Sequence, residues 1–271
     1  MDYKSALKKN MQNLFKSDRH IDVNCPLHLH GFMEIILVLE GTLNMSVGNE
    51  NYSISKGSGI FVPPFIPHSF SSPKHNVCHV LMFSEKLVPT FFDFLKHQIA
   101  NTYLFKISNE CLTLLEKHLS QTSHDIDTLC VQAILAPLCL DVRNGCDFSS
   151  GESPISDNLF LEAVDYLNKN FGENISLKSV AKALGIHHVT LSKRFSEKSH
   201  ISFPMYLNYI RCVNAAMLLK DSDKTIAEIA YLSGFGSIRN FNRVFSVMFD
   251  ITPSQFKKSP ADYMLFEQRI F

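Results

Sequence analysis

A helical pattern over residues 225–258 places the strongest constraint on the fold, because it predicts a helix-turn-helix followed by a closing helix. Thr225 and Glu228 form a capping box, in which a hydroxyl and a carboxylate satisfy amide groups at a helix start. Gly234 ends this helix where a left-handed residue is needed, and Ser237 can cap a second helix. A short helix, a glycine turn and a polar second helix are what reading of the DNA major groove requires.

The second helix of this pattern carries four polar residues, Arg239, Asn240, Asn242 and Arg243. Arginine can bind guanine edges and asparagine can bind adenine edges, each through two hydrogen bonds. The alternative is an ordinary helical hairpin with a solvated polar face, because isolated patterns of this kind are common.

A second copy of the pattern lies at residues 176–195 and makes coincidence a poor explanation. Ser176 can cap its first helix, Gly185 closes that helix, and a basic second helix follows. A long helix over residues 202–220 joins the two copies. Three phenylalanines at helical spacing between polar residues are assigned to the core rather than to base stacking: Phe195, Phe241 and Phe245.

The charge distribution supports a nucleic-acid partner for this part of the chain. The whole chain is neutral, with 26 basic and 26 acidic residues. Residues 174–258 carry twelve lysines and arginines against five acidic residues, a net of +7, whereas residues 1–156 carry twelve against fifteen, a net of −3. The basic module can therefore exploit attraction to phosphates.

The N-terminal part has a different pattern. Short apolar runs separated by turn residues over 26–83 predict a small β-barrel or a double-sheet jelly roll. Residues 87–142 are predicted to be helical, beginning with an apolar helix over 88–99, and Pro137 should kink or interrupt the last helix. Residues 1–22 fit either a short amphipathic helix or a mobile arm.

The length of 271 residues suits two domains. We predict an α+β chain with a β-barrel domain and its helices at 1–143, a Gly/Ser/Pro linker at 144–157, an all-α DNA-binding domain at 158–260 and a tail at 261–271. No run of eighteen apolar residues and no signal peptide occur, so no membrane partner is expected. Seven cysteines without paired C-x-x-C spacing are typical of reduced thiols, which predicts a cytoplasmic protein.

The barrel segment resembles the cupin family. His28, His30, Glu34 and Gly41 fit the first cupin motif in full. Gly57, Pro63 and His68 fit much of the second motif, but Phe65 replaces the usual glycine and Ser72 stands where asparagine is common.

The resemblance implies a ligand or metal site formed by four residues: His28, His30, Glu34 and His68. Alternate residues of a strand point the same way, and histidine–carboxylate sets suit zinc, iron or manganese. A pocket for a polar organic ligand without metal and a purely structural role remain alternatives. A carboxylate that points into the barrel needs a partner. If the side chain of Glu34 points out of the barrel, it cannot bind a metal ion there and the metal hypothesis fails.

Residues 158–258 resemble the DNA-binding module of the AraC/XylS family of transcription regulators, in which a cupin-like barrel ahead of the module is familiar. The resemblance is carried by residues 226–230, 234–237, 241–245 and 252–256 and, in the first half, by 180–181, Gly185, 191–193 and Phe195. It implies that each recognition helix enters a major groove and that the long helix sets their spacing, ~34 Å for one turn of DNA.

The same resemblance implies base contacts from seven residues: Val189, Ser192, Lys193, Arg239, Asn240, Asn242 and Arg243. Thr190, Arg194 and Ser237 are candidates for phosphate contacts or helix ends. His187 departs from the small hydroxyl residue usual at the first cap, and His188 beside it either contacts DNA or is exposed.

Together these features predict a sequence-specific DNA-binding regulator, not an enzyme, that activates transcription under the control of a small molecule in the barrel. The expected partners are double-stranded DNA, the effector, a second copy in a homodimer and, by resemblance, RNA polymerase. A divalent metal in the barrel is the one cofactor implied. Two alternatives remain: a metal-dependent cupin enzyme fused to a DNA-binding module, and a ligand-independent DNA-binding protein whose barrel only dimerises.

Overall fold

The computed structural model describes residues 15–119 and 128–258, in two compact units that divide between Ser156 and Asp157. The strands are β1 (Phe15–Ile21), β2 (Cys25–His28), β3 (Met33–Glu40), β4 (Thr42–Val47), β5 (Glu50–Ser55), β6 (Ser58–Val62), β7 (His68–Ser71), β8 (Val77–Phe83), β9 (Gln98–Ala100), β10 (Leu104–Lys106) and β11 (Phe148–Ser150). The helices are α1 (Pro89–Lys96), α2 (Asn109–Leu119), α3 (Thr128–Gly145), α4 (Asn158–Asn170), α5 (Leu177–Ala183), α6 (His188–Ser199), α7 (Phe203–Asp221), α8 (Ile226–Leu232), α9 (Ile238–Phe249) and α10 (Pro253–Lys258).

The barrel of the first unit is built on two sheets, and β9 and β11 form a separate two-stranded sheet. The larger barrel sheet has the strand order β1-β8-β3-β6-β10 and the smaller β2-β7-β4-β5. Strand β3 pairs antiparallel with both β6 and β8, which sets Ile35 opposite Phe61 and Leu81. These three side chains are fully buried, because they belong to an apolar cluster in which helical side chains cover this face of the sheet. The predicted cupin-like barrel is confirmed.

Helices α1, α2 and α3 supply the apolar side chains that complete the core of the first unit. Leu135 and Leu138 of α3 belong to the same buried cluster as Phe61 and Leu81 of the large sheet. Pro137 lies inside α3, and the helix continues through it, so the predicted interruption is wrong. Pro137 is half-buried and Ala133, whose carbonyl loses its helical partner, is exposed to water.

Three other segments differ from the sequence prediction. Residues 15–21, for which the sequence left a short amphipathic helix or a mobile arm open, instead form strand β1, an edge strand that pairs with β8. Main-chain hydrogen bonds hold such a strand without a strong apolar pattern. The helix predicted over 88–99 ends at Lys96 because the chain turns into β9. Much of the predicted linker also belongs to the first unit, since β11 pairs with β9.

The second unit is all-α, as predicted. Helix α7 packs against α8, α9 and α10, and α4 packs against α6 and α7. Phe195, Phe241 and Phe245 are fully buried, which confirms their assignment to the core. Residues 1–14 of the predicted arm and the predicted tail at 261–271 lie outside the described residues. Within the described ranges, no helix is long and apolar enough to cross a membrane.

Candidate DNA interface and barrel site

The second helix-turn-helix consists of α8 and α9, and side chains close both helix starts. The amide of Thr225 donates to Glu228 Oε2 at 2.7 Å, and the amide of Glu228 donates to Thr225 Oγ1 at 3.2 Å. The hydrogen bond from the Thr225 backbone, followed by that from its hydroxyl, lowers the pKa of Glu228. At the second helix, the amide of Asn240 donates to the hydroxyl of Ser237 at 3.2 Å.

Recognition helix α9 separates an apolar face from a polar one. Phe241, Val244 and Phe245 are buried. The four predicted base-reading residues are all exposed on the remaining surface of the helix: Arg239, Asn240, Asn242 and Arg243. Arg243 Nη2 donates to Asn240 Oδ1 at 3.1 Å, so these two side chains hold each other in position.

Recognition helix α6 presents a smaller polar face. Val189 is 58% exposed and Lys193 is exposed, whereas Ser192 is half-buried. The ammonium of Lys193 lies 3.7 Å from the carboxylate of its neighbour Glu197 one turn later. Lys193 would have to leave Glu197 in order to contact a base. This exposed ion pair is weak, so the cost of leaving it is small.

His187 is the cap residue of α6, and its Nδ1 accepts the amide of Val189 at 3.4 Å. That distance is at the long end of hydrogen bonding. His188 is half-buried and its ring centroid lies 4.4 Å from that of His187. Of the three phosphate or helix-end candidates, Ser237 lies at a helix end, Thr190 is exposed, and Arg194 contacts the buried carboxylate of Asp157 at 3.0 Å.

The structure brings together all four residues proposed for the barrel site. His28, His30, Glu34 and His68 are buried, and one ligand atom from each lies within 4.8 Å of the others. Glu34 Oε2 is 2.8 Å from His30 Nε2 and 3.6 Å from His68 Nε2. Glu34 is fully buried, so the outward orientation that would have excluded a metal does not occur.

The backbone fixes the tautomers of these histidines. In His28, His30 and His68, Nδ1 lies 2.8, 3.1 and 2.9 Å respectively from a main-chain carbonyl two residues away. A carbonyl oxygen can only accept a hydrogen bond, so each Nδ1 must carry the proton. Each Nε2 lies on the side of the ring away from this carbonyl. At 2.8 Å the His30 Nε2–Glu34 Oε2 contact then requires a proton or a shared cation. Burial lowers the pKa of His68, which favours its neutral, ligating form.

This donor set fits one divalent ion. Zinc binds histidine nitrogens at about 2.0–2.1 Å in sites of three or four protein ligands, and nitrogen–carboxylate sets also suit iron and manganese. Atoms within 4.8 Å of one another can reach a common ion with small movements. The main-chain carbonyls accept hydrogen bonds from Nδ1 of the three imidazoles, a contact that commonly orients metal-ligating histidines.

Phe65 stands at the rim of the barrel in a left-handed conformation, with φ of +65°. This explains why glycine is usual at the position, since a bulky side chain is strained there. Its amide donates to the carbonyl of His30 at 2.8 Å, and its ring approaches the position that a Cβ would take on Gly31. The strained residue is thus tied directly to the site.

Comparison with known proteins agrees with this geometry. A family model described as a helix-turn-helix domain matches residues 180–259, and one described as a cupin domain matches residues 22–84. The chain is 24% identical over 250 residues to the HTH-type transcriptional activator RhaS of Yersinia pestis (strain Pestoides F), a match that covers 88% of each protein. The chain thus carries a cupin domain followed by a helix-turn-helix domain and is similar along most of its length to a transcriptional activator.

The fold is similar to that of ToxT from Vibrio cholerae. The crystal structure of ToxT with bound unsaturated fatty acid superposes with a TM-score of 0.65 at 17% identity, covering 91% of this chain and 96% of ToxT. ToxT from strain O395 gives a TM-score of 0.64 at 16% identity, covering 90% and 97% respectively. The matched helix-turn-helix domain and the similarity to RhaS identify the protein as a DNA-binding transcription regulator.

Two residues near the interface escaped the sequence analysis. Asp157 lies in the predicted linker, yet its carboxylate reaches recognition helix α6. Arg211 lies on the polar side of α7 and donates to the carbonyls of Phe171 and Glu173 at 3.0 and 2.9 Å. A cap signal before α4 could have revealed Asp157, whereas nothing in the spacing indicated Arg211.

Proposed function

We propose that this regulator activates transcription when a small polar molecule binds in its barrel at His28, His30, Glu34 and His68. The observation that carries the proposal is the burial of four polar side chains around one point. Burying such groups is costly unless they serve a partner, and titratable clusters in concave sites are commonly functional. The activator RhaS and the fatty-acid-bound ToxT support this assignment as relatives in sequence and fold.

Control by the effector requires unequal affinity for two states of the protein, one of which binds DNA better. We infer that occupation of the barrel site shifts this balance, because the strained rim residue Phe65 is hydrogen-bonded to the main chain of His30 in the site. Genome-wide DNA binding in the source cell, with and without carbohydrate and other metabolite supplements, tests the proposal. Discrete peaks that change with one supplement support it. Peaks that respond to no supplement would favour a ligand-independent protein.

A binding assay on the purified protein refines this test. A ligand at 100 times its Kd stabilises the folded state by about 2.7 kcal/mol, which a thermal melting panel detects. Glu34→Gln changes the charge of the site with little change of volume and should abolish the shift produced by the effector. Asp93→Asn, an exposed site on α1, is the matched control and should leave it unchanged.

The cluster could instead hold a divalent metal, as the donor set allows. Elemental analysis after mild purification tests this idea, and near-stoichiometric zinc, iron or manganese that is lost in His68→Ala would support it. A metal-dependent cupin enzyme attached to a DNA-binding module is the second candidate function, favoured by the complete histidine–carboxylate set. Sub-stoichiometric metal counts against both.

We also propose a homodimer formed through α3. Its exposed apolar residues recur at helical spacing along one face: Leu129, Ala133, Ala136 and Leu140. Leu140→Glu should shift the protein from dimer to monomer in sedimentation analysis, whereas Thr113→Glu at an exposed position of α2 should not. The cytoplasmic location, the contact with RNA polymerase and the seven base contacts belong to the same proposal.

A further inference from the structure

We infer that Asp157 is a positioning residue for DNA recognition, which holds Arg194 and Lys198 of α6 within the protein so that neither neutralises a DNA phosphate. Asp157 is 3% exposed and precedes α4. Its Oδ1 accepts the amide of Phe160 at 3.0 Å, and its Oδ2 accepts Arg194 Nη1 at 3.0 Å. Lys198 Nζ lies 4.0 Å from Oδ2. One carboxylate thus caps α4 and binds two cations of the first recognition helix.

The two cations occupy one flank of α6. Arg194 and Lys198 are four residues apart, so they lie above one another on the helix surface. Leu191 and Phe195 define the buried face, and Lys193 lies on the exposed face. The flank therefore borders the surface that the base-reading residues share, where a released arginine would reach the backbone of bound DNA.

Burial makes this contact persistent. The Asp157 side chain is 3% exposed and that of Arg194 is 39% exposed. A carboxylate removed from water requires paired charge, and solvent screens such a half-buried pair less than a surface pair. The rings of Phe160 on α4 and Phe195 on α6 lie 5.2 Å apart and pack these two helices together. The contact fixes the orientation of α6 against α4, and Arg194 remains bound to the protein when DNA arrives.

The consequence is measurable as salt dependence. Each phosphate neutralised by a protein cation contributes a slope of about −0.9 to log K against log salt on duplex DNA. With Asp157 in place, Arg194 should contribute nothing. Asp157→Asn preserves the helix cap, because asparagine caps as well as aspartate, and removes the charge that holds the cations.

The experiment measures binding of the full-length protein to a random-sequence duplex, and to a fragment from a genomic peak, between 50 and 300 mM salt. Four proteins are compared: wild type, Asp157→Asn, Arg194→Gln and the double variant. We expect Arg194→Gln to leave the slope unchanged and Asp157→Asn to steepen it by about 0.9 per cation released. The double variant should lack the part of this steepening that comes from release of Arg194. The ratio of specific to random-duplex affinity should fall about three- to tenfold in Asp157→Asn, because the released cations bind all sequences.

Two outcomes overturn the inference. One is a slope about 0.9 shallower in Arg194→Gln alone, which would place Arg194 on a phosphate with Asp157 intact. The other is a folded Asp157→Asn protein with the slope and ratio of wild type. If the Asp157→Asn protein does not fold, the salt-dependence slope of Arg194→Gln alone still tests the inference. The random duplex needs neither an operator nor an effector, so failure here is distinct from failure of the proposed effector control.

Discussion

The two helix-turn-helix motifs follow one plan but differ in how firmly they are built. The second, α8 and α9, begins with a Thr225–Glu228 box and a serine cap. The first, α5 and α6, begins with a box of two serines and a long imidazole cap from His187. The two copies therefore share the geometry of the motif but differ in the caps that hold their helices. We expect the second motif to be the more rigid of the two.

The basic side chains of the two recognition helices also differ, in whether they are paired with carboxylates of the protein. In the first recognition helix, Lys193 and Arg194 both lie near carboxylates of the protein. In the second, within the described part of the chain, Arg239 and Arg243 form no ion pair with a carboxylate, and Arg243 is oriented by Asn240. A cationic side chain without a carboxylate partner loses no ion pair when it forms hydrogen bonds with a base edge. The second helix is thus better suited to discriminate sequence, and the first to fit the groove.

The glycine turns allow the sharpest test of this difference. Both are left-handed, with φ of +69° at Gly185 and +84° at Gly234. A Cβ on Gly185 meets nothing within 4 Å, whereas one on Gly234 would lie 2.2 Å from the carbonyl oxygen of Phe171 and 2.8 Å from Arg211 Nε. The second turn is enclosed by the end of α4 and by Arg211, and the first is open.

Gly234→Ala should therefore lower the free energy of unfolding by about 3 kcal/mol or more, because backbone strain adds to a clash with main chain. Gly185→Ala, the matched control, should cost about 1–2 kcal/mol from strain alone. Urea unfolding of the full-length variants, followed by far-UV circular dichroism, measures both. Equal losses would show that the two turns are equally constrained and would remove the basis of the comparison.

Substitutions in the recognition helices test the electrostatic half of the comparison. Arg243→Ala should weaken specific DNA binding by about 1–3 kcal/mol if the side chain reads a base edge. Lys193→Ala should cost less, since its ammonium already lies near Glu197. Fluorescence anisotropy on specific and random duplexes measures both variants. An equal loss for Arg243→Ala on all sequences would assign this residue to phosphate attraction instead.

The motifs illustrate which parts of the fold are predictable from local pattern. Helix caps, glycine turns and the buried phenylalanines depend on residues a few positions apart, so spacing was sufficient. Strand β1 escaped because an edge strand is held by main-chain pairing with β8, far away in sequence. Strand β11 escaped because glycine and serine suggested a linker, although pairing with β9 orders the segment.

The sites show the same limit. The barrel cluster was predicted because its residues follow a motif, and the fold brings them together from β2 and β7 of one sheet, β3 of the other and the segment that joins β2 to β3. The main-chain anchors of its histidines depend on the path of the backbone, which no spacing reveals. Asp157 and Arg194 are 37 positions apart, and their contact arises from the packing of α4 against α6. Such a tertiary pair is invisible to periodicity.

The caps of the recognition helices give a smaller effect. Serine is among the best cap residues, and the amide bond to His187 is longer than the one to Ser237, 3.4 against 3.2 Å. His187→Ser should therefore raise the free energy of unfolding by about 0.5–1 kcal/mol. Ser237→His should lower it by a similar amount. A stabilising Ser237→His would contradict the claim that the second helix has the better cap.

The smallest difference concerns pH. Hydrogen bonds from Thr225 lower the pKa of Glu228 in the folded state, so its contribution to the second motif is present above the unfolded value of 4.5 and is lost as pH falls through the folded pKa. The serine box of the first motif contains no titrating group. In an NMR titration, the Thr225 amide should shift with a midpoint below 4.5, and the Ser176 amide should not follow it. Glu228→Gln should abolish the Thr225 transition, and a transition that persists in this variant would assign the titration to another group.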